Sequence, residues 1–510
     1  MKKVNELRAG VILSYINLAI GTIIPLVYTP VMLRVLGQAE YGLYSLSNSV
    51  IGYLSLLSFG LGSTIVRYVS KYRAEKNKKM EEKTIGLFII LYVALALLVL
   101  FCGFIIYNNI ALFFGNGLTN LEIEKMRILV LIMTFNTAIS FPISVFSSII
   151  VAHEKYIFRK MVDMLSTIGV PVFNIIALYL GFGSVGMALV STLIQFALLP
   201  INAFFCFKVL DVKPIFKEIP FYMLKEIATF SFYVFLGSIV DMLFWATDKV
   251  LLGAMAGSVA VAIYNVGGTF NSMMTNLSTS ISGVLVPKIT TMVFTGDDKS
   301  KWTTLFIKIG RLQYYIIALV VSGFIVFGKP FIYFIAGEGY EDSYIVALLT
   351  MIPLVVPLIQ NVGLNILVAQ NKHKFRSLIY LAIAIINVIF TYISIPYFGI
   401  IGAALCSGFS YILGQGIIMN IYYYKVTGLD IKLFWTNIIS ISLVPFGMVI
   451  ITLLISKYIN FYSVIAFMVG VIIYALIYFL LNYAISMNEY EKDIFRKPLL
   501  KFMKLVVKNK

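Results

Sequence analysis

VAHEKYIFR, Val151 to Arg159, returns as VAQNKHKFR, Val368 to Arg376, at a spacing of 217 residues (368 − 151). Each copy is followed by an apolar stretch and then by GxxGxAL: GSVGMAL from Gly183 and GIIGAAL from Gly399, 216 residues apart (399 − 183). Leu36-Gly37 and Leu252-Gly253 keep the same 216 (253 − 37). Three landmarks at one spacing make the chain a duplication. A weaker echo, Gly115-Asn116-Gly117 against Gly337-Glu338-Gly339, is displaced to 222 (337 − 115), which places a short insertion in one copy.

The material being duplicated is membrane-spanning helix. With 510 residues, 60% hydrophobic and 12% charged content and a mean hydropathy of +0.94, the chain has more apolar surface than a water-soluble core can hide. A helical crossing needs about 20 apolar residues. Runs of that kind recur at 11–33, 43–66, 85–107, 128–150, 161–180, 185–207, 227–247, 260–286, 306–327, 344–368, 378–395, 401–423, 433–455 and 462–486.

Six such spans separate equivalent points, so both copies enter the membrane in the same direction, and a parallel repeat is related by an axis along the membrane normal. The expected fold is an all-α integral membrane protein of about 14 transmembrane helices, in two parallel six-helix lobes with pseudo-two-fold symmetry plus two C-terminal helices. The expected boundaries are 1–207 for the first lobe, 208–226 for a cytoplasmic linker and 227–425 for the second lobe. Spans 13 and 14 occupy 426–486, and a basic tail covers 487–510.

The net charge of +17 suggests nucleic-acid binding until the basic residues are placed on this map. With a cytoplasmic N-terminus, 34 of the 40 Lys and Arg fall on one side, and Arg34, Lys125, Arg127, Lys249, Lys329 and Lys457 are left outside. The positive-inside rule then puts both termini in the cytoplasm of a multi-pass protein of a bacterial-type cytoplasmic (inner) membrane. The charge reports topology and contact with membrane lipids, not nucleic acid. Within VAxxKxxFR, Lys155, Arg159, Lys372 and Arg376 read as residues that hold a short loop inside, in preference to a gate, with Phe158 and Phe375 as interfacial anchors.

Catalytic chemistry is hard to assemble. Cys102, Cys206 and Cys406 lie in spans without CxxC spacing, and His153 and His373 lie in cytoplasmic loops. No hydrolytic triad, metal cluster or resident cofactor is expected, and Asp297-Asp298 in a Lys-rich loop reads as a solvated turn. A polymerase or acyltransferase would need a histidine or an arginine cluster in an external loop, and neither is present. The chain reads as a transporter, not an enzyme.

An ionisable group in hydrocarbon needs a partner or a wet cavity. Asp241, in GSIVDMLFWATDK, is a candidate ion-coupling carboxylate, with a structural pairing to Asn271 or Asn276 as the alternative. Arg34 and Lys249 close the first helix of each lobe outside, and Arg67 and Lys288 close the second helix inside. The outer pair breaks the charge bias, so it is a candidate to hold an anionic headgroup. Gln360, Asn361 and Asn365 form a polar stripe after Pro357, suited to a hydrated, sugar-compatible lumen if they face one cavity. Both GxxGxAL motifs read as tight turns in which Gly183 and Gly399 take positive φ.

Three segments carry a family resemblance: Arg34-Val-Leu-Gly37-Gln-Ala-Glu40-Tyr41-Gly42-Leu43-Tyr44, then Asp248-Lys249-Val250-Leu251-Leu252-Gly253 leading to Ala262-Ile263-Tyr264, then Gly337-Glu338-Gly339-Tyr340. Together they resemble the polysaccharide flippases, which export O-antigen or capsule repeats and belong to the multidrug/oligosaccharidyl-lipid/polysaccharide exporter superfamily. The resemblance implies a flippase that moves polyprenyl-diphosphate-linked oligosaccharide repeat units across the membrane by alternating access, for cell-surface polysaccharide biosynthesis. It also implies a cationic central cavity, scope for coupling to a proton or sodium gradient, and partners among polysaccharide polymerase and assembly proteins. The alternatives are a multidrug and toxin exporter-like cation antiporter, which would be expected to carry more acids than Asp163 within the first lobe, and a lipid II flippase. Lipid II flippases carry arginines in the first span, and 11–33 has none.

Overall fold

The computed structural model describes residues 6–283, 285–295, 299–370, 372–494 and 496–497. The described residues contain helices and no strand. In chain order the helices are α1 (Glu6–Ser55), α2 (Leu61–Ala74), α3 (Lys78–Phe114), α4 (Asn120–Ala152), α5 (Tyr156–Tyr179), α6 (Gly183–Phe204), α7 (Leu224–Trp245), α8 (Thr247–Met255) and α9 (Gly257–Gly283). They continue with α10 (Val286–Phe294), α11 (Lys299–Ala336), α12 (Asp342–Ile359), α13 (Asn361–Ala369), α14 (His373–Tyr411), α15 (Asn420–Tyr422), α16 (Ile431–Ile441), α17 (Leu443–Ile455) and α18 (Val464–Leu481).

Ten helices among the described residues are long and apolar enough to cross a membrane, and eleven if the bent pair Gly257–Gly283 and Lys288–Phe294 is one span. The protein is therefore a multi-pass membrane protein. Helices tolerate that environment without water because each satisfies its own backbone groups. The longest, α1, has 50 residues, about 75 Å at 1.5 Å per residue, against a hydrocarbon layer of about 30 Å. Non-helical dihedrals at Gly37 (φ 71°) divide α1, and Gly399 (φ 54°) divides α14 in the same way. The start sites are set locally. Thr119 and Glu122 close a capping box on α4, and the side chains of Asn77 and Asp430 cap α3 and α16.

The duplication is visible as geometry. Gly183 and Gly399, the first residues of the two GxxGxAL motifs, take φ of 56° and 54°, as the turn reading requires. Phe158 stacks on Phe205 at 3.7 Å, and Phe375 stacks on Tyr422 at 4.2 Å, each partner again 217 residues on (422 − 205).

The chain forms two compact units, one of residues 1–265 with 384–403, the other of 266–383 with 404–510. In the first, α7 and α8 join α1 to α6 through bonds such as Tyr53 Oη to Thr247 Oγ1 (2.5 Å) and Thr64 Oγ1 to Ser231 Oγ (3.2 Å). In the second, α17 and α18 pack on α11 through Phe327, Val444, Met448, Tyr474 and Tyr478, with Phe461 from the connecting turn. A buried ion pair fixes the residues after the last span: Arg311 Nε lies 2.6 Å from Glu491 Oε1 and Nη2 lies 2.9 Å from Oε2. Tyr315 Oη, the Ser486 carbonyl and the Asn488 amide complete the set, so both charges are satisfied.

Candidate functional site

The sequence candidates occupy different surroundings. Arg34, Arg67 and Lys288 are exposed, on α1, α2 and α10. Lys249 is half-buried on α8 beside Asp248, a buried carboxylate that receives the Tyr264 hydroxyl at 2.5 Å. Asp248 is not among the sequence candidates, although an acid followed by a base inside a broken apolar helix is the available signal. Asp241 belongs to α7, and its side chain lies outside the described residues.

The neighbours Gln360 and Asn361 enter two separate networks in the second unit. Gln360 is fully buried and donates to Asn420 Oδ1 (2.9 Å), which also receives Trp435 Nε1 (3.1 Å). Asn361 donates to Ser278 Oγ (2.7 Å), which Gln313 also reaches (3.1 Å) and which itself donates to the Leu358 carbonyl (2.7 Å). Asn365 is half-buried on α13. Gln360 and Asn361 are spent on interhelical bonds, the usual fate of lone amides in a span.

The first unit holds a different arrangement, in which Val151 and Arg159 of the repeated VAxxKxxFR motif join serines that carry no signal as a sequence motif. A cavity of about 430 Å³ opens among α2, α4, α5 and α6. Its wall includes Gly62 and Ser63, the serines at 140, 144, 147 and 148, then Arg159, Asp163, Ser166 and Gln195. The α4 serines recur at i, i+4, i+7 and i+8, which puts them on one helical face. Aliphatic Val66, Ile143, Val151, Val162 and Leu198 complete the lining.

The lining carries one charge of each sign, Arg159 and Asp163, and Lys160 approaches the Asp163 carboxylate at 3.7 Å. Arg159 Nη2 lies 2.7 Å from Asp163 Oδ1, one helical turn on, while Nη1 donates to Ser147 Oγ at 2.6 Å. Ser63 and Ser140 bond to their own helix at Gly60 and Thr137. Ser148 is 7% exposed, and its hydroxyl has no hydrogen-bond partner among the described residues; the side chains of Ser166 and Gln195 have none either.

The profile of a family described as "Polysaccharide biosynthesis protein" matches residues 7–293. The chain belongs to this family. An uncharacterized membrane protein of Methanocaldococcus jannaschii is 25% identical over 386 residues, 72% of this chain and 74% of that protein. Among solved structures, the lipid II flippase MurJ in an inward closed conformation superposes with a TM-score of 0.71 at 18% identity, covering 96% of this chain and 99% of its own. A multidrug resistance MATE transporter of the MOP superfamily, in an inward-facing conformation, gives 0.62 at 16% identity, covering 79% and 96%.

The family is described by polysaccharide biosynthesis, and the fold is the one seen in the MurJ and MATE structures. Among the described residues there is no group of three or more His, Cys, Asp or Glu able to hold a metal ion. The second unit adds an apolar cavity of about 320 Å³, walled by Phe270, Phe324, Phe327, Phe331, Phe467 and Val471 among others. One family member thus carries both a hydroxyl-lined and a hydrocarbon-lined cavity within helices of membrane-crossing length.

Proposed function

We propose that this protein moves a polyprenyl-diphosphate-linked oligosaccharide from the cytoplasmic to the outer leaflet by alternating access. The observation that carries the reading is the hydroxyl-lined cavity inside apolar helices, in a family described by polysaccharide biosynthesis. Six serine hydroxyls and an amide placed around open space between apolar helices suit a hydrated or hydroxylated cargo. The apolar cavity of the second unit matches the other half of an amphipathic substrate.

The accompanying reading has fourteen crossings, with α1 and α14 each counted as two, α9 and α10 as one and α7 added to them, and both termini in the cytoplasm. The lobes are 1–207 and 227–425. Arg34 and Lys249 receive the diphosphate, Arg67, Lys288 and Asn365 line its path, Gln360 and Asn361 hold the helices that frame it, and Asp241 couples a proton or sodium gradient. The test is flipping of a fluorescent lipid-linked oligosaccharide in proteoliposomes, read by accessibility to an impermeant quencher. Protein-dependent flipping supports the reading. Export of cationic drugs with no movement of the lipid-linked sugar would replace it by an antiporter.

A further inference from the structure

The two copies of the repeat treat one location in opposite ways. At the repeat spacing, Asn361 answers to Ser144 (361 − 144 = 217), Asn365 to Ser148 (365 − 148 = 217) and Ser278 to Gly62 (278 − 62 = 216). In the second copy the location is filled, with Ser278 Oγ bonded by Asn361 and Gln313. In the first copy the larger groups are absent and a cavity of about 430 Å³ stands there. A Cβ placed on Gly62 would lie 3.4 Å from Ser148 Oγ and 3.5 Å from Ser144 Oγ, so this glycine faces both hydroxyls directly.

We infer that the serine-lined cavity of the first copy is a binding site for a neutral sugar ring, seated apart from the diphosphate of the same substrate. This inference rests on the proposed transport of a lipid-linked oligosaccharide. Three features argue for a polyol. The cavity falls within the range of about 300–1,000 Å³ typical of small-molecule sites. The one cation in its lining, Arg159, is paired with Asp163 at 2.7 Å, a carboxylate that Lys160 also approaches at 3.7 Å from outside the lining, so no lining cation is left unpaired for an anion.

The third feature is hydrogen-bonding capacity. Serine hydroxyls, the Gln195 amide, the Asp163 carboxylate and the Arg159 guanidinium together offer donors and acceptors in the mixture that sugar hydroxyls match. Ser148 is more than nine-tenths buried, and its hydroxyl, which bonds to nothing among the described residues, reaches the cavity wall where a ligand can meet it.

The experiment uses the full chain in lipid nanodiscs with Ser148→Cys, labelled by a small water-soluble maleimide. The unsubstituted chain supplies the background from Cys102, Cys206 and Cys406. N-acetylglucosamine, galactose and inorganic pyrophosphate are the probes. The expected result is labelling slowed about tenfold by a neutral sugar at saturation, and unchanged by pyrophosphate. No protection by either sugar, protection by pyrophosphate of equal size, or a thiol at this position that the reagent never reaches would each overturn the assignment.

A second variant tests the same site through the repeat. Gly62→Ser with Ser144→Asn transplants the Ser278 and Asn361 pair into the first copy, and should lower flipping about tenfold while thermal unfolding is unchanged. Undiminished flipping by that variant removes the sugar site and leaves the proposed function standing. Sugar protection in a chain that flips no lipid-linked oligosaccharide does the reverse.

Discussion

Two arginine–carboxylate pairs, one in each compact unit, show how differently the same chemistry is used. Arg311 and Glu491 are joined by two contacts and enclosed by Tyr315, the Ser486 carbonyl and the Asn488 amide, with side-chain exposures of 8% and 1%. Arg159 and Asp163 share a single short contact, remain 28% and 23% exposed, and border a cavity whose nearby hydroxyl on Ser148 is unused. The first pair is closed on itself and anchors the residues after the last span. The second has bonding capacity left for a visitor. The repeat-related pair Ser278 and Gly62 makes the same contrast without charge.

The largest effect should come from the closed pair. Glu491→Gln leaves Arg311 buried beside a neutral partner, and Arg311→Met strands Glu491; each should cost about 3–5 kcal/mol, read as a large fall in thermal unfolding temperature in detergent. Arg159→Met should cost less than about 1 kcal/mol, because the open pair is partly solvated, while reducing flipping. Equal destabilisation by the two arginine substitutions would end the comparison.

The next effect separates the two copies of the repeat. Ser278→Ala removes the acceptor for Asn361 and one of the two acceptors for Gln313, which keeps the Ser278 carbonyl, and should cost about 1–3 kcal/mol. Ser148→Ala removes a hydroxyl that bonds to nothing described and should stay within about 0.5 kcal/mol of the parent. The same unfolding measurement checks both.

The smallest effect concerns acid. Glu40, between the first two predicted spans, accepts the Ser184 amide (2.6 Å) and pairs with Lys125 (2.7 Å), which ties down the GxxGxAL turn of the first copy. Burial pushes the Glu40 carboxyl up, but Lys125 and the Ser184 amide outweigh it and hold it below its ordinary value. A lowered folded-state value means the tie is complete above the unfolded carboxylate range and is lost as pH falls through the folded value. The matching position of the second copy is Ala256 (256 − 40 = 216), so no such dependence belongs there. Amide exchange should rise in acid around Ser184 and not around Gly399. A matched rise at both turns would show that the tie does nothing.

Much of the architecture was legible because hydrophobic length and periodicity act locally. Apolar runs announce membrane helices, a positive φ announces itself as glycine at 183 and 399, and a fixed spacing pairs Phe158 with Phe375. The site was legible only in part. Gln360 and Asn361 are visible as polar residues in a span, yet whether an amide faces a lumen or a neighbouring helix depends on partners such as Asn420 and Ser278, 60 and 83 residues away. The α4 serines look ordinary in the sequence because a serine in a helix can bond its own backbone, as Ser140 does. Arg311 counts there as one more cytoplasmic charge, since nothing near it in the chain points to Glu491.

A duplicated, all-helical membrane protein follows from the order of residues alone, because burial of apolar surface and backbone hydrogen bonding are decided within each span. Which copy of the repeat keeps an open polar space does not follow from that order, and emerges only when the helices pack. That outcome turns on whether side chains from distant helices meet and satisfy one another, as at Ser278, or stop short, as around Gly62.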